Sequence, residues 1–163
     1  MRPKVVIAET ISQKGINALA ESCDIDDASG VARHDLLGRL ADAEGLIVRS
    51  ATAVDAELIE AAPRLRVVGR AGVGVDNIDL QAATASGILV VNAPQANTIS
   101  AAEHAMALLL AQARNVAPAD ASMRAGRWDR KKYQGIELHG KTLGVIGLGR
   151  IGSLVAQRAL SFG

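Results

Sequence analysis

Along the first half of the chain, short β-branched and apolar runs alternate with stretches whose apolar positions recur at three- and four-residue spacing. This pattern predicts strands at residues 4–8, 46–48, 65–68 and 88–91, with a weaker one at 23–26, and helices at 12–21, 32–40, 55–61 and 79–86. Continuous Val/Ile/Leu runs suit strands buried on both faces, and their alternation with helices predicts an α/β fold with a covered parallel sheet. The longest helix is predicted at residues 98–114, with Ser100-Ala101-Ala102-Glu103 reading as a capping box at its start. Its Ala101, Ala105, Met106, Leu108, Leu109 and Leu110 cover most of the circumference, as expected for a helix buried between two bodies. Beyond it, Lys141-Thr142-Leu143-Gly144-Val145-Ile146 reads as a buried strand and residues 153–160 as a helix.

Between that strand and helix lies Gly147-Leu148-Gly149-Arg150-Ile151-Gly152. Strand, G-x-G-x-x-G and helix in this order suit a dinucleotide. The first glycine makes the turn, the second admits backbone to a pyrophosphate, and the third lets helix and strand pack closely. Unpaired N–H groups at the helix N-terminus then face the phosphates. The acidic residue that reads the ribose, roughly 20 positions on, would lie past Gly163.

Ligands of open parallel sheets gather at the carboxyl ends of the strands. Three exits draw attention: Arg49-Ser50-Ala51-Thr52, Gly69-Arg70-Ala71-Gly72-Val73-Gly74 and Asn92-Ala93-Pro94-Gln95-Ala96-Asn97. Arginine offers a bidentate fork to carboxylate or phosphate, and glycines at 72 and 74 let backbone N–H groups form an anion-binding concavity. Arg49 alone would read as a solvated charge, with Thr52 and Asp55 as a helix-start box. Three such exits together favour a binding face for a small anion.

Composition narrows the partners. With 18 Lys and Arg against 17 Asp and Glu, the net charge is +1, which gives no electrostatic footprint for nucleic acid or an anionic membrane. Aromatic residues are 2% of the chain, in keeping with helices packed on parallel strands. Cys23 is the single cysteine, which excludes an internal disulfide and cysteine zinc sites and suits a reducing cytoplasm. The apolar run at 105–111 is too short to span a bilayer, and the N-terminal run is too short for a signal-peptide core, so a soluble, cytoplasmic protein is expected. His104 reads as a structural histidine, since its neighbour Glu103 does not face it on a helix. His34 and His139 lie outside the exit loops, and no metal site is expected. The basic cluster from Met123 through Arg124, Arg127, Trp128, Arg130, Lys131 and Lys132 to Tyr133 reads as a solvated loop or an arm toward a neighbouring subunit.

Taken together, Val48-Arg49-Ser50-Ala51-Thr52, the Val68 to Asp79 stretch, the Asn92 to Glu103 segment, Gly126-Arg127-Trp128 and the Gly140 to Gly152 stretch resemble the D-isomer-specific 2-hydroxyacid dehydrogenases. The resemblance implies a flavodoxin-like parallel-sheet substrate domain followed by the start of a Rossmann NAD-binding domain. In its terms, residues 1–97 are the N-terminal half of the split substrate domain, 98–140 the interdomain helix and loop, and 141–163 an incomplete first βα unit. It implies NAD as cofactor, a small phosphorylated 2-hydroxy acid as substrate, and a homo-oligomer when full length. By resemblance, Arg49 and Ser50 contact substrate, with Arg49 on the phosphate, and Arg70 shapes the same loop. Val73 and Gly74 hold the substrate carboxylate through their N–H groups, Val73 also meets the nicotinamide end, and Asn97 closes the pocket. Gly147, Gly149, Arg150, Ile151 and Gly152 cradle the pyrophosphate, and Arg130 reaches a phosphate in the partner subunit. The family's downstream arginine, glutamate and histidine have no match, so no catalytic residue is nominated and the chain is expected to be inactive alone. Another 2-hydroxy acid such as glycerate or lactate, or a non-catalytic NAD-sensing or corepressor-like module, are the alternatives.

Overall fold

The computed structural model describes residues 2–163, which divide into two compact units meeting between Ala96 and Asn97. The first unit carries a five-stranded, wholly parallel sheet in the order β2-β1-β3-β4-β5. Its strands are β1 (Lys4–Ile7), β2 (Asp24–Asp27), β3 (Gly45–Val48), β4 (Val67–Arg70) and β5 (Leu89–Asn92). Between them run α1 (Gln13–Ala20), α2 (Arg33–Arg39), α3 (Ala56–Glu60) and α4 (Leu80–Ala85). The order 2-1-3-4-5 is the flavodoxin-like winding, and it reverses between β1 and β3, leaving a crevice at their carboxyl ends. Register sets Val5 beside Gly45, Leu46 beside Val68, and Val68 beside Val90.

Side chains alternate across the sheet, so Val6, Leu46, Val48 and Val68 share one face. They pack with Leu36 and Leu40 of the α2 segment and Leu58 and Ile59 of α3, all buried. Three helices have side-chain N-caps: Ser12 Oγ accepts from the Gly15 N–H at 3.3 Å, Asp55 from Leu58 at 3.0 Å, and Asp79 from Gln81 and Ala82 at 3.0 and 2.9 Å. Each cap satisfies donors that a helix leaves unpaired. The edge strand β2 is short and acidic, which discourages further pairing. Lys4 pairs across to Asp26 at 3.4 Å and to Asp42 at 2.6 Å. β4 begins two residues beyond the predicted start, because Leu65 closes a turn onto the Ala62 carbonyl.

The second unit contains α5 (Thr98–Ala113), α6 (Val116–Arg124), α7 (Arg150–Ala159) and a 3-10 turn at Leu160–Phe162. Three expectations need correction here, and one helix was not among those expected. Residues 141–146 form no strand and are not buried: they join no ladder among the described residues, and the Ile146 side chain is fully exposed. A strand is stabilised by its neighbour's hydrogen bonds, and none is provided. The capping box at Ser100 is also absent. Helix α5 begins at Thr98 with Asn97 as N-cap, and the Ser100 hydroxyl, already inside the first turn, donates to the Asn97 carbonyl at 3.1 Å. Nor is α5 buried over most of its circumference. Among the described residues it buries only Ala102, Met106 and Ala113, and Leu108 is 57% exposed. Finally, α6 was not anticipated. Asn115, left-handed at φ 52°, separates it from α5, and Pro118 sits in its first turn, where no intrahelical N–H is needed.

Residues 134–136 are tied to the end of α5. The Ile136 N–H donates to the Ala113 carbonyl at 2.8 Å and Asn115 Nδ2 to the Gln134 carbonyl at 3.3 Å. A cavity of about 310 Å³ lies alongside residues 141–143, lined by Leu109, Ile136, Leu138, Leu143 and Phe162. No helix among the described residues is long and apolar enough to cross a membrane.

Candidate functional site

The first unit concentrates its chemistry where β1, β3, β4 and β5 end. Ala8 extends the β1 ladder by donating to the Ile47 carbonyl at 2.9 Å, and Glu9 follows at the reversal of strand order. One Glu9 oxygen, Oε1, accepts the N–H groups of Arg49 and Thr52 at 2.8 and 2.9 Å, and Oε2 accepts that of Ala51 at 3.1 Å. Burial pushes this carboxyl up, but the backbone donors of Thr52, Arg49 and Ala51 outweigh it and hold its pKa below the ordinary value of 4.5.

Asn77 ties the same loop from the other side. Its Nδ2 donates to the carbonyls of Arg49 and Thr52 at 2.8 and 2.6 Å, while its Oδ1 accepts from Arg70 Nε at 2.8 Å. Arg70, only 10% exposed, also lies 3.6 Å from Asp76 Oδ1. Its guanidinium sits under the glycine loop: a Cβ built on Gly72 would come 2.8 Å from Nη1, and one on Gly74 would come 3.5 Å from it. A larger residue at position 72 would displace the arginine that shapes the loop, and one at 74 would meet Asp76 Oδ1 first, at 2.5 Å. Asn92 Nδ2 holds the Val73 carbonyl at 2.6 Å, and the Ala93 N–H holds that of Gly72 at 2.9 Å. The N–H groups of Val73 and Gly74 engage no other described group.

Arg49 and Ser50 are exposed, and neither side chain makes a hydrogen bond or ion pair among the described residues. The first unit therefore brings Arg49, Ser50, Arg70, Val73 and Gly74 onto neighbouring loops. It offers one unengaged guanidinium, one free hydroxyl and two unengaged N–H donors. Chemically, such a set binds and orients a small acid with more than one anionic group. Among these groups there is no candidate base.

Asn97 belongs to the second unit as the N-cap of α5, with its carbonyl accepting from the Ala101 N–H at 2.8 Å. The glycine turn lies further along that unit. Gly147 adopts φ 90°, a conformation that favours glycine, and Gly149 is the N-cap of α7. A Cβ on Gly152 would run into the Gly147 carbonyl oxygen and approach Val145 Cγ1 at 3.2 Å. Arg150 and Ile151 form the first turn of the ten-residue α7. This geometry fits a dinucleotide's pyrophosphate: the turn needs its first glycine, the close approach needs its third, and the helix N-terminus points its donors outward.

In the basic cluster, Trp128 is 72% exposed. Ser122, buried in α6, donates to Asp129 Oδ2 at 2.9 Å and holds the loop. Glu9 and Asn77 were not singled out from the sequence. Only their places in strand exits could have flagged them, since an acid or amide there has the backbone of two loops within reach.

Residues 5–160 match the family described as D-isomer specific 2-hydroxyacid dehydrogenase, catalytic domain, and the chain belongs to that family. It is 53% identical over 163 residues to D-3-phosphoglycerate dehydrogenase 2, chloroplastic, of Arabidopsis thaliana, covering 99% of this chain and 26% of that protein. To D-3-phosphoglycerate dehydrogenase of Methanocaldococcus jannaschii it is 52% identical over 160 residues, covering 98% of this chain and 30% of that one. The chain thus spans less than a third of the length of these curated relatives. Among solved structures, the TT0316 protein of Thermus thermophilus superposes with a TM-score of 0.89 at 37% identity, covering 98% of this chain and 53% of the other.

Proposed function

We propose that the chain supplies the acid-binding face and the opening of the dinucleotide cradle of an NAD-dependent D-3-phosphoglycerate dehydrogenase. The reaction would oxidise D-3-phosphoglycerate to 3-phosphohydroxypyruvate, the first step of L-serine biosynthesis, with NAD accepting the hydride. The observation that carries this reading is the placement, on the neighbouring loops that follow β3 and β4, of the unengaged Arg49 guanidinium and the unengaged N–H groups of Val73 and Gly74. Two separated anion-binding groups suit an acid carrying both a phosphate and a carboxylate. Arg49 with Ser50 would take the phosphate, and Val73 with Gly74 the carboxylate, while Arg70 keeps the glycine loop in shape. On the second unit, Gly147, Gly149, Arg150, Ile151 and Gly152 would hold the pyrophosphate. In this reading residues 1–97 act as part of a substrate domain, 98–140 as a connecting helix and loop, and 141–163 as the first unit of a nucleotide domain.

Hydride transfer with loss of the hydroxyl proton needs a base within reach of the hydroxyl, and none of the groups described above qualifies. The 163-residue chain is therefore expected to bind without turning over. The names of the relatives favour phosphoglycerate over glycerate or lactate. Titration of the ¹⁵N-labelled chain with D-3-phosphoglycerate should shift the amides of Val73 and Gly74 and bind more tightly than D-glycerate. Arg49→Ala should remove that preference and weaken phosphoglycerate by about tenfold or more, the loss expected for a charge-assisted fork. Equal binding of the two acids by the unaltered chain would sink the assignment, as would production of NADH by this chain alone.

A further inference from the structure

We propose that Glu9 is a positioning residue for the acid-binding face, one that fills the donor cluster of the 49–52 loop with the protein's own carboxylate and so holds Arg49 ready for a ligand phosphate. The inference deepens the proposed function and rests on Arg49 being the phosphate-binding group.

Two sets of backbone donors lie at these strand exits. The N–H groups of Arg49, Ala51 and Thr52 converge on the Glu9 carboxylate. Those of Val73 and Gly74 converge on nothing described. Convergent N–H groups make an anion site, so the first set would compete with the second for any incoming carboxylate if it were open. Glu9 closes it. The same contacts fix the loop's course. Arg49 and Thr52 have their N–H groups bound to Glu9 and their carbonyls to Asn77, which Arg70 steadies in turn. With its backbone tied on both sides, Arg49 extends from a fixed base, and less ordering remains to be done when a ligand arrives.

The chemistry of the side chain is specific. A carboxylate presents two acceptor oxygens to three donors. Glutamine keeps one acceptor but turns an NH₂ group on a neighbouring donor, and alanine leaves all three without a protein partner. A ligand selected this way meets backbone donors at one end and a guanidinium at the other, so the pair favours an acid with two separated anionic groups over a simple carboxylate.

The test compares the unaltered 163-residue chain with Glu9→Gln and Glu9→Ala, each titrated by NMR with D-3-phosphoglycerate and with D-glycerate. Both variants should bind phosphoglycerate about tenfold more weakly, a difference of ~1.4 kcal/mol. D-glycerate, read at the Val73 and Gly74 amides, should bind as before. Hydrogen exchange at Arg49, Ala51 and Thr52 should quicken while the β3 amides stay protected. Should Glu9→Ala fail to fold, Glu9→Gln carries the comparison. Undiminished preference for phosphoglycerate in the variants, or equal weakening of both acids with β3 still protected, overturns the inference. If the unaltered chain shows no preference at all, it is the Arg49 assignment that fails. Exchange then decides the role of Glu9, and unchanged protection of the 49–52 amides rejects it.

Discussion

Gly152 and Gly144 lie within one short stretch yet face opposite constraints. A methyl group on Gly152 has nowhere to go, because the Gly147 carbonyl occupies its position. One on Gly144 meets nothing within 4 Å. Gly152→Ala must therefore push α7 off the turn, and overpacking of this kind costs about 1–3 kcal/mol. Gly144→Ala should stay within about 0.5 kcal/mol of the unaltered chain, as exposed substitutions usually do. Hydrogen exchange along α7 is the direct measure: faster exchange in the first variant and no change in the second is expected, and equal behaviour would mean the turn is not closed as described. The turn at Gly147 and the close approach at Gly152 were legible because both depend on backbone alone. Glu9 was not, since its role depends on a loop about forty residues away in sequence that only the sheet order brings near.

At the scale of elements, β1, β3, β4 and β5 were readable because β-branched runs are local signals, and so was the start of α3 beside Asp55, whereas β2 has a single β-branched residue and α2 no side-chain cap. Residues 141–146 carry the same β-branched signal but form no strand, since pairing is a property of two segments and apolar pattern is a property of one. Helix α6 escaped notice for the opposite reason: its Pro118 and small residues make a weak periodic pattern, and the left-handed Asn115 that starts it is a backbone fact. The junction of α2 and α3 offers a test of what a local cap contributes. Asp55 receives the Leu58 N–H at 3.0 Å and pairs with Arg33 at 2.6 Å, while Arg33 also reaches Glu57 at 2.7 Å. The Leu58 backbone donor first, and Arg33 with it, hold the Asp55 carboxyl below its ordinary 3.8 despite burial acting the other way. A depressed folded pKa means stability that is present above pH 3.8 and lost as pH falls through the folded value. Asp55→Ala should then cost about 1 kcal/mol near neutrality, the usual worth of such a cap, with the half-exposed ion pair adding little. Urea unfolding should show that difference shrinking as pH falls below 3.8 and the native carboxyl is protonated. A gap that persists in acid would assign the effect to packing.

For the whole molecule, the two units differ in how their backbone is secured. The first has every strand paired and a continuous buried core from Val6 to Ile88. The second has three helices, but from Ala125 to Gly149 its chain has no helix or ladder, with Trp128, Ile136 and Ile146 well exposed. Local opening costs least where few apolar contacts and few backbone hydrogen bonds must be broken, and proteases follow the population of such openings when closing is fast. Arg124, Arg127, Arg130, Lys131 and Lys132 place five tryptic sites at the start of that stretch. Brief trypsin treatment should therefore cut first between residues 124 and 132, leaving an N-terminal product that holds the whole sheet and persists. The lysines and arginines of the first unit, many of them in ion pairs such as Lys4 with Asp42 and Arg33 with Asp55, should be cut only later. Mass spectrometry of the early products decides the matter. Initial cleavage within residues 4–70 would mean that the sheet, despite its pairing, opens more readily than the unladdered stretch.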